Sequence, residues 1–329
     1  MRVFVAGGSG AIGRRLLPQL VERGHDVIAT TRSPDRSDRL RALGVTPLVM
    51  DGLDAGSVGE AVARAEPEVI VHQMTALAGA GNPKRWEAEF ARTNELRTRG
   101  LDHLMTAAEA VGVRRLVAQS YTGWPNDRTG AAVQSERDPL DADPPAAQRS
   151  SLAAIRYLEQ VVTGSASLEG LALRYGSLYG PGTSMAGEYA VMIRKRKLPL
   201  VGNGAGVWSF IHVDDAAAAT VTAVEHGAVG VYNIVDDDPA PVSEWLPYLA
   251  GQLGARTPRH VPVWLARLAV GEVGISIMTQ IRGSSNAKAK AVLGWEPVWT
   301  SWRDGFRLAF DDRSPSQSSR AGRPATSAV

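Results

Sequence analysis

Near the N-terminus the chain reads Gly7-Gly8-Ser9-Gly10-Ala11-Ile12-Gly13, with glycines three residues apart at 7, 10 and 13. Such spacing suits a loop that turns tightly, lets its backbone approach a charged group, and then packs a helix onto a strand. Helix N-termini carry unpaired N–H groups and a positive dipole end, so the matching ligand is a pyrophosphate. The loop follows a strand-like run, Arg2–Ala6, and opens a helical run from Ala11 to Arg23. In that setting the motif signals a bound dinucleotide. The expected contacts are Gly7, Ser9, Gly10, Ala11, Ile12 and Gly13.

The end of the second strand decides between two dinucleotides. Sites for NAD usually place Asp or Glu there, on the ribose hydroxyls. This chain has Ala29-Thr30-Thr31-Arg32-Ser33 instead. A guanidinium pairs bidentately with a 2′-phosphate, so Arg32, with Arg36 and Arg14 nearby, points to NADP(H). NAD stays as the alternative. Asp51 and Gly52 follow the third strand, where Asp51 could accept from an adenine amino group. Asp54 reads as a helix N-cap.

These residues need elements to hold them. Strand-like runs at Asp26–Thr30, Thr46–Met50, Glu68–His72, Arg115–Gln119 and Leu171–Arg174 alternate with helical runs. The helical runs are Pro34–Leu43, Asp54–Arg64, a long bent Trp86–Val111, and Ala146–Thr163. Alternation of this kind predicts βαβ units and an α/β fold with a doubly wound parallel sheet. Pro18 should kink the first helix. From about 176 the rhythm fades and Gly and Pro become frequent, which predicts a smaller C-terminal substrate lobe. The expected division is 1–175 for the dinucleotide-binding domain, with 207–235 returning to it. Residues 176–206 and 236–310 would form the substrate lobe. Residues 311–329 are rich in Ser, Arg, Pro and Ala and are expected to be a disordered tail.

Composition narrows the function classes. In 329 residues, 36 Lys+Arg face 34 Asp+Glu, a net charge of +2. A dedicated nucleic-acid binder would concentrate basic charge, so none is expected. There are no cysteines, which excludes thiolate catalysis, disulfides and iron–sulfur ligation. The 6 histidines lack metal-ligand spacing, so no metal is expected. No apolar run reaches the about 18 residues of a membrane span, and the N-terminus lacks the apolar stretch of a signal peptide. A cytoplasmic protein acting on a small molecule is expected.

The chain also resembles the extended short-chain dehydrogenase/reductase superfamily, the NAD(P)-dependent epimerase/dehydratase group. The resemblance rests on eight blocks in order: GGSGAIG at 7–13, the Asp51–Asp54 pair, VIVH at 69–72, RLVAQS at 115–120, LRYGSLYGPGT at 173–183, SFIHVDDAAAA at 209–219, VYNIVDD at 231–237 and SNAKAKAVLGWEP at 285–297. It implies a Rossmann-like domain, hydride transfer at a nicotinamide, and a homodimer paired through the long helices beside the sheet.

One departure dominates. The group's chemistry normally rests on Tyr-x-x-x-Lys, where Tyr exchanges a proton with the substrate oxygen and Lys lowers the Tyr pKa. In PPAAQRSSLAAIRYLEQVV (144–162) one register puts Ala147 and Ser151 at those positions. The other puts Ser151 and Ile155 there. No lysine occurs between Lys84 and Lys195, and Tyr157 reads as a packing residue. Candidate replacements cluster past the fifth strand: Tyr121, flanked by Ser120 and Thr122, and then Tyr179 at the next strand's end. A phenol needs only to donate a hydrogen bond to a forming alkoxide. The group's helix asparagine has Arg97 in its place by counting, with Asn94 one turn earlier. Met74 stands where a small residue is usual, against the nicotinamide or an apolar substrate. His72 reads as structural. Arg194–Lys197 reads as a solvated helix end, with an anionic-substrate role as the alternative. Trp124, Trp208, Trp245 and Trp264 are core or pocket walls.

The expected function is an NADP(H)-dependent reductase of a small-molecule carbonyl with a non-standard proton donor. A nucleotide-sugar epimerase or dehydratase is the alternative enzyme. The alternative outside enzymes is a redox sensor that holds the dinucleotide without turnover.

Overall fold

The computed structural model describes residues 1–77 and 81–309. The expected tail at 311–329 lies outside them. Seven strands form one parallel sheet: β1 (Arg2–Ala6), β2 (Asp26–Thr31), β3 (Thr46–Val49), β4 (Val69–His72), β5 (Arg115–Tyr121), β6 (Glu169–Tyr175) and β7 (Gly230–Ile234). Their spatial order is β7-β6-β5-β4-β1-β2-β3, so the order reverses between β1 and β4. A ligand crevice belongs at that reversal, outside the carboxyl ends of the strands.

The strands form where apolar, β-branched residues run unbroken. In β1 Val3, Phe4, Val5 and Ala6 are fully buried, because the sheet is covered on both faces. Val3 and Val5 pack with Leu16, Leu17 and Leu20 of α1 (Gly13–Glu22), and Phe4 and Ala6 pack on the opposite layer. Burying each large side chain contributes about 1.5–3 kcal/mol. Pro18 sits inside α1 without ending it. The helical run expected from Pro34 to Leu43 is a 3₁₀ turn, Pro34–Arg36, and a short α2, Ser37–Arg41. On the sheet's other side lie α3 (Ala55–Ala65) and α5 (Arg99–Val111), whose buried positions join Phe4, Ile70 and Leu116.

The long helix expected at 86–111 is two helices, α4 (Trp86–Arg97) and α5, broken at Thr98 with φ −104 and ψ −90. The Thr98 hydroxyl donates to the Asn94 carbonyl at 3.0 Å. Behind α4 runs α6 (Arg149–Thr163). Its Glu159 is clamped by Arg174 of β6 through two 2.7 Å bonds, Nε to Oε1 and Nη2 to Oε2.

After β6 come α7 (Ala190–Arg194), α8 (Val213–Glu225), α9 (Val242–Gln252), α10 (Val263–Thr279) and α11 (Trp302–Ala309). The helix α8 packs on α1, and β7 adds to the main sheet beside β6. The others share a separate core around Trp208, Phe210, Trp245, Trp302 and Phe306. The strands in this region are two or three residues long, such as Val207–Trp208 and Phe210–His212.

Asp54 caps α3 as its position suggests: its Oδ1 accepts from the Ser57 amide at 2.7 Å. Asp54→Ala should lower stability in urea denaturation by about 1 kcal/mol. An unchanged midpoint would mean that solvent serves that amide equally well.

Candidate active site

A cleft of about 840 Å³ opens along the carboxyl ends of the parallel strands. Gly7 follows β1, Thr31 ends β2, Met50 follows β3, Gln73 follows β4, Tyr121 ends β5 and Gly176 follows β6, and all line it.

At one end lies the glycine loop. Gly7 holds φ +93, and a Cβ there would meet the Gln73 carbonyl carbon and oxygen at 2.8 Å. Only glycine combines that angle with that approach. Its amide donates to Thr30 Oγ1 at 3.0 Å, tying the loop to β2. A Cβ on Gly13 would lie 2.4 Å from the Gly8 carbonyl oxygen, so the start of α1 rests directly on the loop. Gly10 faces the cleft, and a Cβ added there would find its nearest atom, the Gly7 carbonyl oxygen, at 3.4 Å. No side chain caps α1 and no acidic residue occupies its first turn. The amides and dipole there are thus left for an anion, so these residues fit a dinucleotide pyrophosphate.

Of the residues singled out above, Gly7, Ser9, Gly10, Ala11, Ile12, Gly13, Arg32, Arg36, Gly52 and Met74 all line the cleft. Arg32 and Arg36 are exposed and make no ion pair among the described residues. Met74 rests on Gly52, where a Cβ would meet its Sδ at 2.4 Å. Tyr121 and Thr122 line the cleft too.

Three expected site residues lie off the cleft. Ser120 is fully buried and donates to Glu159 Oε1 at 2.7 Å, as the inward side of β5 requires. The Tyr179 ring packs edge-on against Phe306 and His212 and fills the gap left by Gly305. Its hydroxyl is buried without a partner, and burial pushes its pKa far up, so it is a core residue. Asp51 points to solvent, where its Oδ1 accepts from the Leu53 amide at 3.1 Å and its Oδ2 lies 3.6 Å from Arg92.

The far end of the cleft is aromatic. Trp86 and Phe90, one turn apart on α4, stack at 4.1 Å with 7° between planes. Trp124 meets Trp86 edge-on at 5.2 Å, and Tyr189 and Trp208 complete the wall. Trp245 is buried in the separate core and Trp264 is exposed. Near these rings Tyr121 shares a 3.1 Å hydrogen bond with Ser177 Oγ. Burial raises the Tyr121 pKa, against smaller lowering effects of Ser177 and Arg97. The phenol therefore stays protonated at neutral pH and can donate. Thr122 is committed elsewhere, at 2.5 Å from Ser284 Oγ and 3.1 Å from Asn126 Oδ1.

The position of the missing pair is closed. Ser151, the residue common to both registers, is fully buried and accepts from Trp86 Nε1 and Asn94 Nδ2, both at 3.2 Å. Tyr157 is half-exposed and donates to Asp102 at 2.6 Å. His72 is held between the Leu96 carbonyl at 3.1 Å and the Met74 amide at 3.2 Å. Burial lowers its pKa to about 4, so it is neutral and structural. His212 caps α8 by accepting from the Asp214 amide at 3.2 Å. Residues 194–197 are not part of the cleft wall. No cluster of potential metal ligands occurs among the described residues, and no helix among them is long and apolar enough to cross a membrane.

The sequence profile of the NAD dependent epimerase/dehydratase family matches residues 3–235. The chain belongs to this family. A 3-diazoavenalumate denitrifying reductase from a Streptomyces species is 44% identical over 93% of this chain and 99% of its own length. A 2-alkyl-3-oxoalkanoate reductase from Stenotrophomonas maltophilia is 31% identical, covering 78% of this chain and 76% of that one. Among solved structures, Thermus thermophilus UDP-glucose 4-epimerase in complex with NAD superposes with a TM-score of 0.72 at 25% identity. That match covers 94% of this chain and 98% of the epimerase. The protein is thus an NAD(P)-dependent oxidoreductase of the epimerase/dehydratase family, with reductases among its relatives. Its aromatic wall and closed pair position set its cleft apart from the pattern that the family resemblance implies.

Sequence reasoning missed Trp86, Phe90, Tyr189 and Ser177 as parts of the site. The i, i+4 spacing of Trp86 and Phe90 was the available signal, since it puts both rings on one face of a helix.

Proposed function

We propose that the protein is an NADP(H)-dependent reductase of a planar aromatic small molecule. The observation that carries this is the continuity of one cleft from the glycine loop to the Trp86–Phe90 stack. In this reading residues 1–175 and 207–235 hold the dinucleotide, and 176–206 and 236–310 complete the substrate lobe. The loop amides take the pyrophosphate, and Arg32 and Arg36 take the 2′-phosphate. Met74 would flank the nicotinamide ring of a bound dinucleotide, which would supply the hydride. The chain's own part is to orient the electrophile between rings, exclude water, and place the Tyr121 hydroxyl on the oxygen that gains charge. Protonated Tyr121 acts as a donor, not a base, which suits reduction of a carbonyl.

A second reading concerns the electrophile. The 44% identical relative is named for a denitrifying reduction of a diazo compound. Reduction of an aryl diazonium group needs no alkoxide donor. Hydride adds to the terminal nitrogen, the resulting aryldiazene loses dinitrogen, and its N–H hydrogen ends on the ring carbon. A site without the Tyr/Lys pair suits such chemistry.

Oxidation of NADPH, followed by its near-ultraviolet absorbance over aromatic ketones, quinones and ortho-diazophenols, tests the proposal. Turnover of an aromatic member supports it. Binding of NADPH without turnover of any member overturns it in favour of a sensor. Tyr121→Phe separates the electrophiles. It should lower kcat on a ketone by about tenfold with NADPH affinity unchanged, and leave kcat on a diazophenol unchanged.

A further inference from the structure

Arg97 closes α4, and only 3% of its surface is exposed. It lines the cleft, and its Nε and Nη1 are buried without a hydrogen-bond partner. Buried guanidinium groups are normally paired, because an uncompensated charge in an apolar setting is costly. The nearest acidic influence is Glu159, but Arg174 and Ser120 already occupy its oxygens. Burial lowers the Arg97 pKa only to about 10, so it is a cation at neutral pH. The other titratable groups that feel it are the Tyr121 phenol and the His72 imidazole, both neutral there. The last turn of α4 offsets part of the cost through the helix dipole. It supplies no hydrogen bond to Nε or Nη1.

Tyr121, the ring that feels this cation, lies 6.3 Å from Trp124 with 28° between planes, and the stacked Trp86–Phe90 pair lines the same cleft towards the other end of α4. We infer that Arg97 is a substrate-binding residue, and that the cleft takes a planar aromatic carrying an anionic oxygen, such as a phenolate, which pairs with the unpartnered guanidinium edge. The inference rests on reading the cleft as a reductase site and names the chemical class of its substrate. It also places positive charge beside Tyr121, so an aromatic whose oxygen gains charge on reduction is held by two donors. Lysine would not serve equally, since its point charge lacks the two-pronged fork.

The probe is 4-nitrophenol, whose ionised and neutral forms differ in colour, with uncharged nitrobenzene as the control for apolar fit. Each is titrated into the full-length protein with and without NADP+. Bound 4-nitrophenol should ionise about one pH unit or more lower than in solution, and its phenolate should bind at least about tenfold tighter than nitrobenzene. In Arg97→Met the shift should vanish while nitrobenzene affinity stays within about twofold, and Arg97→Lys should restore part of the shift. The melting temperature of unliganded Arg97→Met should equal or exceed that of the parent, since a buried unpaired charge is gone. An unmoved ionisation in the parent protein, or a shift that persists in Arg97→Met, would overturn the inference. A protein that shifts the probe yet binds no dinucleotide would sink the reductase reading and leave the anion site standing.

Discussion

Gly10→Ala should cost most of the affinity for NADP(H) while leaving the unliganded protein's melting temperature unchanged, whereas Gly13→Ala should lose both. The two glycines share one loop but face different neighbours. A methyl at Gly10 finds its closest atom at 3.4 Å, an ordinary contact, so the empty loop accepts it. The methyl then stands where a pyrophosphate must approach the backbone. Losing that approach should raise the Kd about 100-fold, or about 3 kcal/mol. At Gly13 the methyl falls 2.4 Å from the Gly8 carbonyl oxygen and 2.6 Å from its carbon, both backbone atoms. Either α1 or the loop must move, and α1 carries Leu16, Leu17 and Leu20 into the core. Overpacking of this kind costs about 1–3 kcal/mol and sometimes more. Thermal melting and calorimetric titration of both variants check the pair. Equal destabilisation by the two would show that the loop is a packing device and not a cradle.

Arg32→Ala should weaken NADPH binding about 30-fold and change NADH binding by less than about threefold. A charge-assisted hydrogen bond to phosphate contributes about 1.5–3 kcal/mol. Exposure of Arg32 keeps the effect toward the lower part of that range, and high salt should shrink it. The parent protein should prefer NADPH, because no carboxylate stands at the end of β2 to hold a ribose diol. Equal affinities in the parent would instead align it with the NAD-bound epimerase it superposes on.

The sheet was legible because central parallel strands are buried on both faces and need apolar runs, which the chain shows most clearly at β1 and β4, while the edge strand β3 is partly exposed. Expected and observed strand limits differ by two residues at most from β1 to β6. The glycine loop was equally legible, since its spacing encodes geometry. A bend in the long helix was expected, but its place at Thr98 was not legible, because a lone threonine hardly changes helix propensity and its hydroxyl can turn back on its own helix. Tyr179 sits at a strand end, where function is expected, yet its ring turns inward because distant Gly305 leaves room. Counting put Arg97 in the place of the group's helix asparagine, but nothing local marked it as buried, since the nearby charged residues Arg92, Glu95 and Arg99 are exposed. Its burial, with only 3% of its surface exposed, is set by the tertiary fold, and no local pattern carries that. The aromatic wall draws on residues from 86 to 208, so it exists only in the fold.

The hydrogen bonds that converge on Ser151 make the order of mutations matter. With the Trp86 indole and the Asn94 amide both anchored on that hydroxyl, a tyrosine introduced at 151 would drop a phenol into occupied space. Lysine at Ile155, fully buried, would meet hydrocarbon. Installing the Tyr/Lys pair at 151 and 155 therefore requires the Trp86 indole and Asn94 amide to be rehoused first.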